Sequence, residues 1–370
     1  MSERVPEFEP EVKKKLESVG IEFNPERRSA SFLQVDQKVQ HVTKYLEGVE
    51  IMGIKQAMEK YDWVGEYFWK AVKRDQDEYT KMVDVEDVNG YFIRALPGAK
   101  VNIPVEACLY LKTHGAKQKV HNIIIAEEGS ELNIISGCAS HPGVVSGMHI
   151  GISEFFVKKD AKLTFTMIHN WASDIEVRPR SATIVEENGV FISNYVLMSP
   201  VKLVQMYPTA YLVGDNSVAV FSSVVVAKEN TVVDAGSRAV LKGENSSADI
   251  LSRTISTGGK IIARGHIIGE APGVRGHLEC RGLMLSEKGA IHAIPELEAR
   301  YPNVDLSHEA AIGKIAEEEI FYLMSRGLTR DEATAAIIRG FMEIDVKGLP
   351  EVLKKEIDKA ISMVEKELTT

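Results

Sequence analysis

Three cysteines carry the first chemistry that can be read from this chain: Cys108, Cys138 and Cys280. No two form a Cys-x-x-Cys pair, so a zinc ribbon or a thioredoxin-like dithiol is not expected. The opening residues MSERVPEFEPEVKKK hold no apolar leader, and an odd cysteine count argues against a disulfide framework. Three thiolates also fall short of a four-thiolate iron–sulfur site. Any cluster held here needs ligands of another kind or from another subunit. Cys138 sits in SGCASHPG, read as a turn, with His141 three positions on, a spacing at which a metal pair is conceivable. Cys108, in VEACLYL, reads as core. Cys280, in HLECRGLML, shares a strand face with Leu278, Gly282 and Met284. That is the setting of a small buried hydrophobe. His121, His149 and His169 fall inside β-rich runs and read as structural.

The missing motifs narrow the choice. There is no G-x-x-x-x-G-K-S/T, since both Gly-Lys pairs are followed by Ile, so no phosphate-cradling loop exists. No G-x-G-x-x-G opens a helix after a strand. No G-x-S-x-G elbow and no H-E-x-x-H zinc helix occurs. No run of ~18 apolar residues suggests a membrane span. The net charge of −9 shows no basic face for nucleic acid. A cytoplasmic protein without nucleic-acid or membrane contacts is expected.

The elements that position these residues fall into three stretches. Residues 10 to 82 read as helical. Pro10 opens the first helix, Val12, Leu16 and Val19 follow at helical spacing, and Gly20 stops it. A longer helix is expected over 62–82, with Val64, Tyr67, Phe68 and Val72 on one stripe. From about residue 88 to 306, short runs of Val, Ile and Thr alternate with polar residues. Turn residues recur at Gly129, Asp160, Asn188, Asn216, Asn230, Asn245, Gly259 and Gly289. Their spacing clusters near multiples of about 14 or 15, the mark of a repeating architecture. Stacked coils would bury a continuous stripe that no single coil can bury alone. A β-sandwich and a β-helix both fit, and the period with the lack of hairpin dipeptides favours the β-helix. Beyond Ser307 the chain reads as helical again. One helix stops at Gly327. A second opens on a capping box, Thr329 with Glu332, and carries Ala333, Ile337 and Phe341 on one face. An amphipathic helix is expected over 350–368.

The segment SHEAAIGKIAEEEIFYLMSRGLTRDEATAAIIRGFM, from Ser307, resembles the C-terminal signature of the SufB/SufD family. HNIIIAEEGSELNIISGC, from His121, is similar to that family's entry into its core, and VKKDAKLTFTMIHNW and MYPTAYLVGDNSVAVFSSV to its core segments. HLECRGLML with GAIHAIPELEA looks like its last rungs. The resemblance covers roughly residues 85 to 345. It implies a mainly β protein, with a right-handed parallel β-helix core over 86–306. An N-terminal helical segment, 1–85, and a C-terminal helical domain, 307–370, would flank the core. It implies a scaffold without turnover of its own, which assembles iron–sulfur clusters and passes them to apo target proteins. A SufC-like ABC ATPase would supply ATP hydrolysis, in keeping with the missing phosphate loop. The cargo would be a transient cluster of the 4Fe–4S type, and whether a flavin takes part is left open.

The family's cluster-assembly cysteine falls on Cys280, the histidine that SufD contributes across the dimer on His308, and the SufB glutamate on Glu309. Mixed ligation by thiolate, imidazole and carboxylate leaves a cluster easier to release than four thiolates would. Ser307 could equally cap a helix, with Glu309 suited to its first turn. His292 lies on the rung after Cys280. The apolar group Ile337, Phe341 and Met342 falls in the region that contacts the ATPase in this family. The chain departs from SufB in a shorter N-terminal side and in having no cysteine between Trp171 and Tyr195. One chain carries SufB-like and SufD-like features together, which points to a homodimer, with a SufB/SufD-type heterodimer as the alternative. Two other functions fit a β-helix: an architectural activator of the ATPase without cluster ligands, and a carbohydrate-active enzyme. Only 7% aromatic residues disfavours the last.

Overall fold

The structure, a computed structural model, describes residues 8–83 and 88–342. Its centre is a β-solenoid of about eight turns, built from two facing sheets of ten and eleven strands. Through the core the chain alternates between the sheets, with two rungs of one sheet each split into two short strands (Asp174–Val177 and Arg180–Val185, Leu203–Met206 and Thr209–Leu212), and apart from the pairs at the N-terminal edge the neighbours within each sheet run parallel. Val190 pairs with Val218, and Ser247 with Arg275, so a coil takes 28 residues there; Glu131 with Lys162 shows a coil of 31. Half a coil accounts for the shorter spacing seen in the sequence.

The turn residues explain why the period is legible. Asp160, Asn188, Asn216 and Asn245 have φ of 56°, 54°, 55° and 57°, left-handed backbone that Asn and Asp tolerate better than other side chains. They stack at one corner. Asp160 N donates to Glu187 O, Asn188 N to Asp215 O, and Asn216 N to Glu244 O, each at 2.8 to 3.0 Å. Asn230 belongs to the opposite corner, which is why it interrupts the longer spacing. Between the sheets, inward positions form one continuous core, including Leu132, Leu163, Phe191, Ala219 and Ala248. Phe155, Phe165, Phe191 and Phe221 stack through it with ring centroids 4.7 to 5.9 Å apart.

The N-terminal stretch is less helical than its sequence suggests. Helix Pro10–Glu17 forms as expected and Gly20 ends it at φ 84°. Val12, Leu16 and Val19 cover the outside of the first sheet at Cys108, Tyr110 and Ile135. Three strands follow, however. Ala30–Val35 pairs with Lys100–Leu111, Lys38–Lys44 closes that edge antiparallel, and Val49–Gly53 closes the other sheet against Tyr91–Ala95. A stack of coils leaves unpaired backbone groups at its end, and these strands satisfy them. The helix expected over 62–82 is also absent. A 3-10 helix, Asp62–Tyr67, and one turn, Glu78–Lys81, stand in its place. Val64, Phe68 and Val72 are still buried, against Phe92, Ile123 and Phe156. The backbone of the loop between them is held by a side chain: buried Glu154 accepts from Trp69 N and Ala71 N at 2.6 Å and from Val72 N at 3.0 Å.

At the other end, strand Asp305–Gly313 runs through Ser307, so the chain is still β where a helix start was expected. Nine in-register pairs with the preceding strand of its sheet, from Arg275 to Leu283, outweigh the local capping signal. Helices Glu317–Met324 and Arg330–Met342 then form, and the Thr329–Glu332 capping box is present, with Thr329 N to Glu332 Oε2 at 2.8 Å. The helix expected over 350–368 lies outside the described residues.

Candidate functional site

Cys280 sits on strand Arg275–Met284, the last but one of its sheet. Alternation turns Gly276, Leu278, Cys280 and Gly282 into the solenoid and leaves Glu279 and Arg281 outside. Ser252 and Ala310 are its in-register neighbours on either side. The thiol is 3% exposed, and burial pushes its pKa up to about 11, with Glu279 adding to the rise and Arg253 opposing it. Such a thiol keeps its proton at neutral pH until a metal displaces it.

His308 and Glu309 lie on the terminal strand. His308 is opposite Leu278, and Glu309 opposite Glu279. Leu306 and Ile312 meet Gly276 and Gly282 from the inner side, so His308, at the same alternation, turns inward as well. Among the described residues no later coil covers it, and it is exposed. Glu309 turns outward, its Oε1 3.3 Å from Arg281 Nη2. Cys280 and His308 therefore share one face of the sheet, while Glu309 occupies the other. Among the described residues, no group of three or more His, Cys, Asp or Glu side chains could hold one metal ion. The donor types suit iron, but two donors on one face leave a site that a single chain does not close.

The other sequence candidates separate from this place. Cys138 lies on strand Glu131–Ser140 rather than in a turn, and it faces the core, 1% exposed. Burial pushes its thiol up to about 12. His141 instead accepts from Gly143 N through Nδ1, so the pair does not converge. Cys108 is core, as expected, under the N-terminal helix. His292 pairs with Ile262 in the opposite sheet, on its outer side, and does not approach Cys280. His149 and His169 are buried, with pKa values lowered by desolvation to about 4 and about 3. His149 Nδ1 meets Gln118 Oε1 at 2.8 Å, and His169 Nδ1 meets Tyr195 OH at 3.1 Å. His121 lies 2.7 Å from Glu154.

The C-terminal apolar group divides. Met342 is 1% exposed and, with Ile338, packs on Val224, Val226, Ile255 and Leu283, so it belongs to the protein's own core. Ile337 and Phe341 are half-buried. The large apolar side chains that helix Glu317–Met324 presents to solvent are Phe321 and Tyr322, each 59% exposed, with Met324 beside them. Nothing in the run Phe321-Tyr322-Leu323-Met324 tells which of its side chains another layer will cover. Sequence reasoning also missed two buried carboxylates. Besides Glu154, Glu106 is 2% exposed, 3.7 Å from Arg28 Nη1, and burial pushes its pKa up to about 8. A glutamate in an alternating strand gives no sign of which layer will cover it. No helix among the described residues is long and apolar enough to cross a membrane.

Residues 109–341 match the family described as SUF system FeS cluster assembly, SufBD core domain. The chain is 71% identical over 356 residues to the iron–sulfur cluster assembly SufBD family protein of Archaeoglobus fulgidus, covering 96% of each. A relative from Methanothermobacter thermautotrophicus is 47% identical over 97% of this chain and 89% of its own length. One from Pyrococcus horikoshii is 31% identical over 98% of this chain and 82% of its own.

Proposed function

Because the chain belongs to the SufBD family of iron–sulfur cluster assembly proteins, we propose that it is the scaffold subunit of a SUF-type complex. In this reading it works in the cytoplasm with a SufC-like ABC ATPase, holds a transient cluster of the 4Fe–4S type, and passes it to apo target proteins. ATP turnover belongs to the partner, since this sequence lacks the loop that would cradle phosphates. The observation that supports the reading is the placement of Cys280 and His308 on one face of the last two strands of their sheet, at the end of the solenoid that no further strand covers among the described residues.

The same end supports a homodimer. Among the described residues the terminal strands Ala290–Ala299 and Asp305–Gly313 each have one unpaired backbone edge, and Leu297 and Ile312 are 38% and 42% exposed there. Free edges flanked by apolar side chains favour covering by another chain. A second copy would bring its own Cys280, His308 and Glu309 to the seam and supply the donors one chain lacks. For the ATPase, the exposed Phe321, Tyr322 and Met324 form the docking patch.

The test is anaerobic reconstitution with iron and sulfide, read by charge-transfer absorbance, for wild type and Cys280→Ser. A cluster on wild type and none on the variant is the expected result. If neither holds iron, the second reading takes over: an architectural activator of the ATPase without cluster ligands.

A further inference from the structure

Glu279 and Glu309 are in-register neighbours on the outer face of the last two strands of their sheet. Two carboxylates one strand spacing apart, about 4.8 Å, repel and oppose the pairing that brings them together. One cation answers both. Arg281 Nε lies 2.8 Å from Glu279 Oε1, and its Nη2 lies 3.3 Å from Glu309 Oε1. Arg253, one strand further in and in register with Arg281, approaches the same Glu279 oxygen at 2.5 Å. Glu279 thus has two guanidinium neighbours. Among the described residues, Glu309 has an ion pair with Arg281 alone. Glu279 is largely covered, at 13% side-chain exposure, while Glu309 at 56% is open to solvent.

We propose that Arg281 is a positioning residue for Glu309: its guanidinium fixes the carboxylate on the outer face and fills the seat between Glu279 and Glu309 that a divalent cation would otherwise take. The inference rests on the reading above, in which Glu309 serves iron. Arginine suits the task because its planar fork reaches two carboxylates at once and does not lose its charge by deprotonation. Release of Glu309 is therefore a matter of movement or displacement. Lysine would keep the charge but lose the fork.

The probe is Mn2+ alone, which prefers oxygen ligands and stays divalent in air, followed by Fe2+ under anaerobic conditions. Binding is measured by calorimetry on the full chain. Arg281→Gln is expected to bind Mn2+ about fivefold more tightly than wild type, the equivalent of removing one partly exposed ion pair. Arg281→Lys should fall between the two, and Arg281→Gln with Glu309→Gln should return to the wild-type value. Unchanged affinity in Arg281→Gln overturns the proposal, as does a gain that survives Glu309→Gln. Should Arg281→Gln fail to fold by circular dichroism, Arg281→Lys alone and with Glu309→Gln makes the same comparison. The two readings fail separately. Loss of the scaffold reading appears as wild type without a cluster, and loss of this one as indifference of Mn2+ binding to Arg281.

Discussion

Cys280 and Glu309 are one strand apart in the same sheet, yet their side chains point to opposite faces. The cause is plain alternation. Glu309 pairs with Glu279, the immediate neighbour of Cys280, and a step of one residue along a strand crosses the sheet. A ligand set drawn from one chain is thereby split between the inside of the solenoid and its outer surface. If the proposed scaffold uses both residues as ligands, assembly with another chain or movement of the terminal strand has to bring them together.

The division of the C-terminal apolar residues predicts two different failures. Phe321→Asp should abolish capture of a co-produced ABC ATPase while leaving thermal unfolding unchanged. Met342→Asp should lower the midpoint by many degrees, because it buries a charge against Val224 and Leu283. Pull-down and circular dichroism on both variants check this. Normal capture by Phe321→Asp would remove the docking patch from consideration.

Glu154 supplies acceptors to the loop amides of Trp69, Ala71 and Val72 and to His121. Glu154→Ala leaves those donors buried and should cost about 3–5 kcal/mol of local or global stability. Hydrogen exchange at Trp69, Ala71 and Val72 should accelerate strongly, while amides of strand Val218–Ala227 keep their protection if the loss is local. Unchanged exchange at all three loop amides would show that the loop is held by its apolar contacts.

Glu106 predicts a pH dependence. Its folded pKa is raised, chiefly by burial, from 4.5 to about 8. The Glu22 N–H, which donates to Glu106 Oε1 at 3.0 Å, and Arg28 at 3.7 Å both favour the charged carboxylate, but they do not cancel the burial, and the Glu22 side chain adds like charge. The folded state then binds the extra proton between about pH 4.5 and 8, and stability contributed by this group falls as pH rises through that window. Glu106→Gln should flatten the fall in unfolding midpoint between pH 5 and about 8. Equal slopes for the two proteins would contradict the assignment.

Much of the solenoid is legible because its corners demand left-handed backbone, and Asp160, Asn188, Asn216 and Asn245 announce it at a fixed spacing. The inward turn of Cys280 is likewise visible, since Leu278 and Gly282 share its alternation. The residues before Ala95 and around Ser307 are misread for one common reason. Val49–Gly53 becomes a strand by pairing with residues at least 38 positions later in the chain, and Asp305–Gly313 by pairing with residues 30 positions earlier, and no local window contains either partner.

The family resemblance, not spacing, singles out Cys280, His308 and Glu309, and the period favours a parallel stack over a sandwich; from the sequence alone follow the repeat and the absence of a nucleotide loop. Those depend on local backbone preference and on chemical type, which the order of residues carries directly. Only the tertiary structure decided that Cys280 and Glu309 face apart, that Arg281 spans Glu279 and Glu309, and that Met342 is core while Phe321 is surface. Each of these depends on register and on which layer covers a face, and both are settled by contacts between coils distant in sequence.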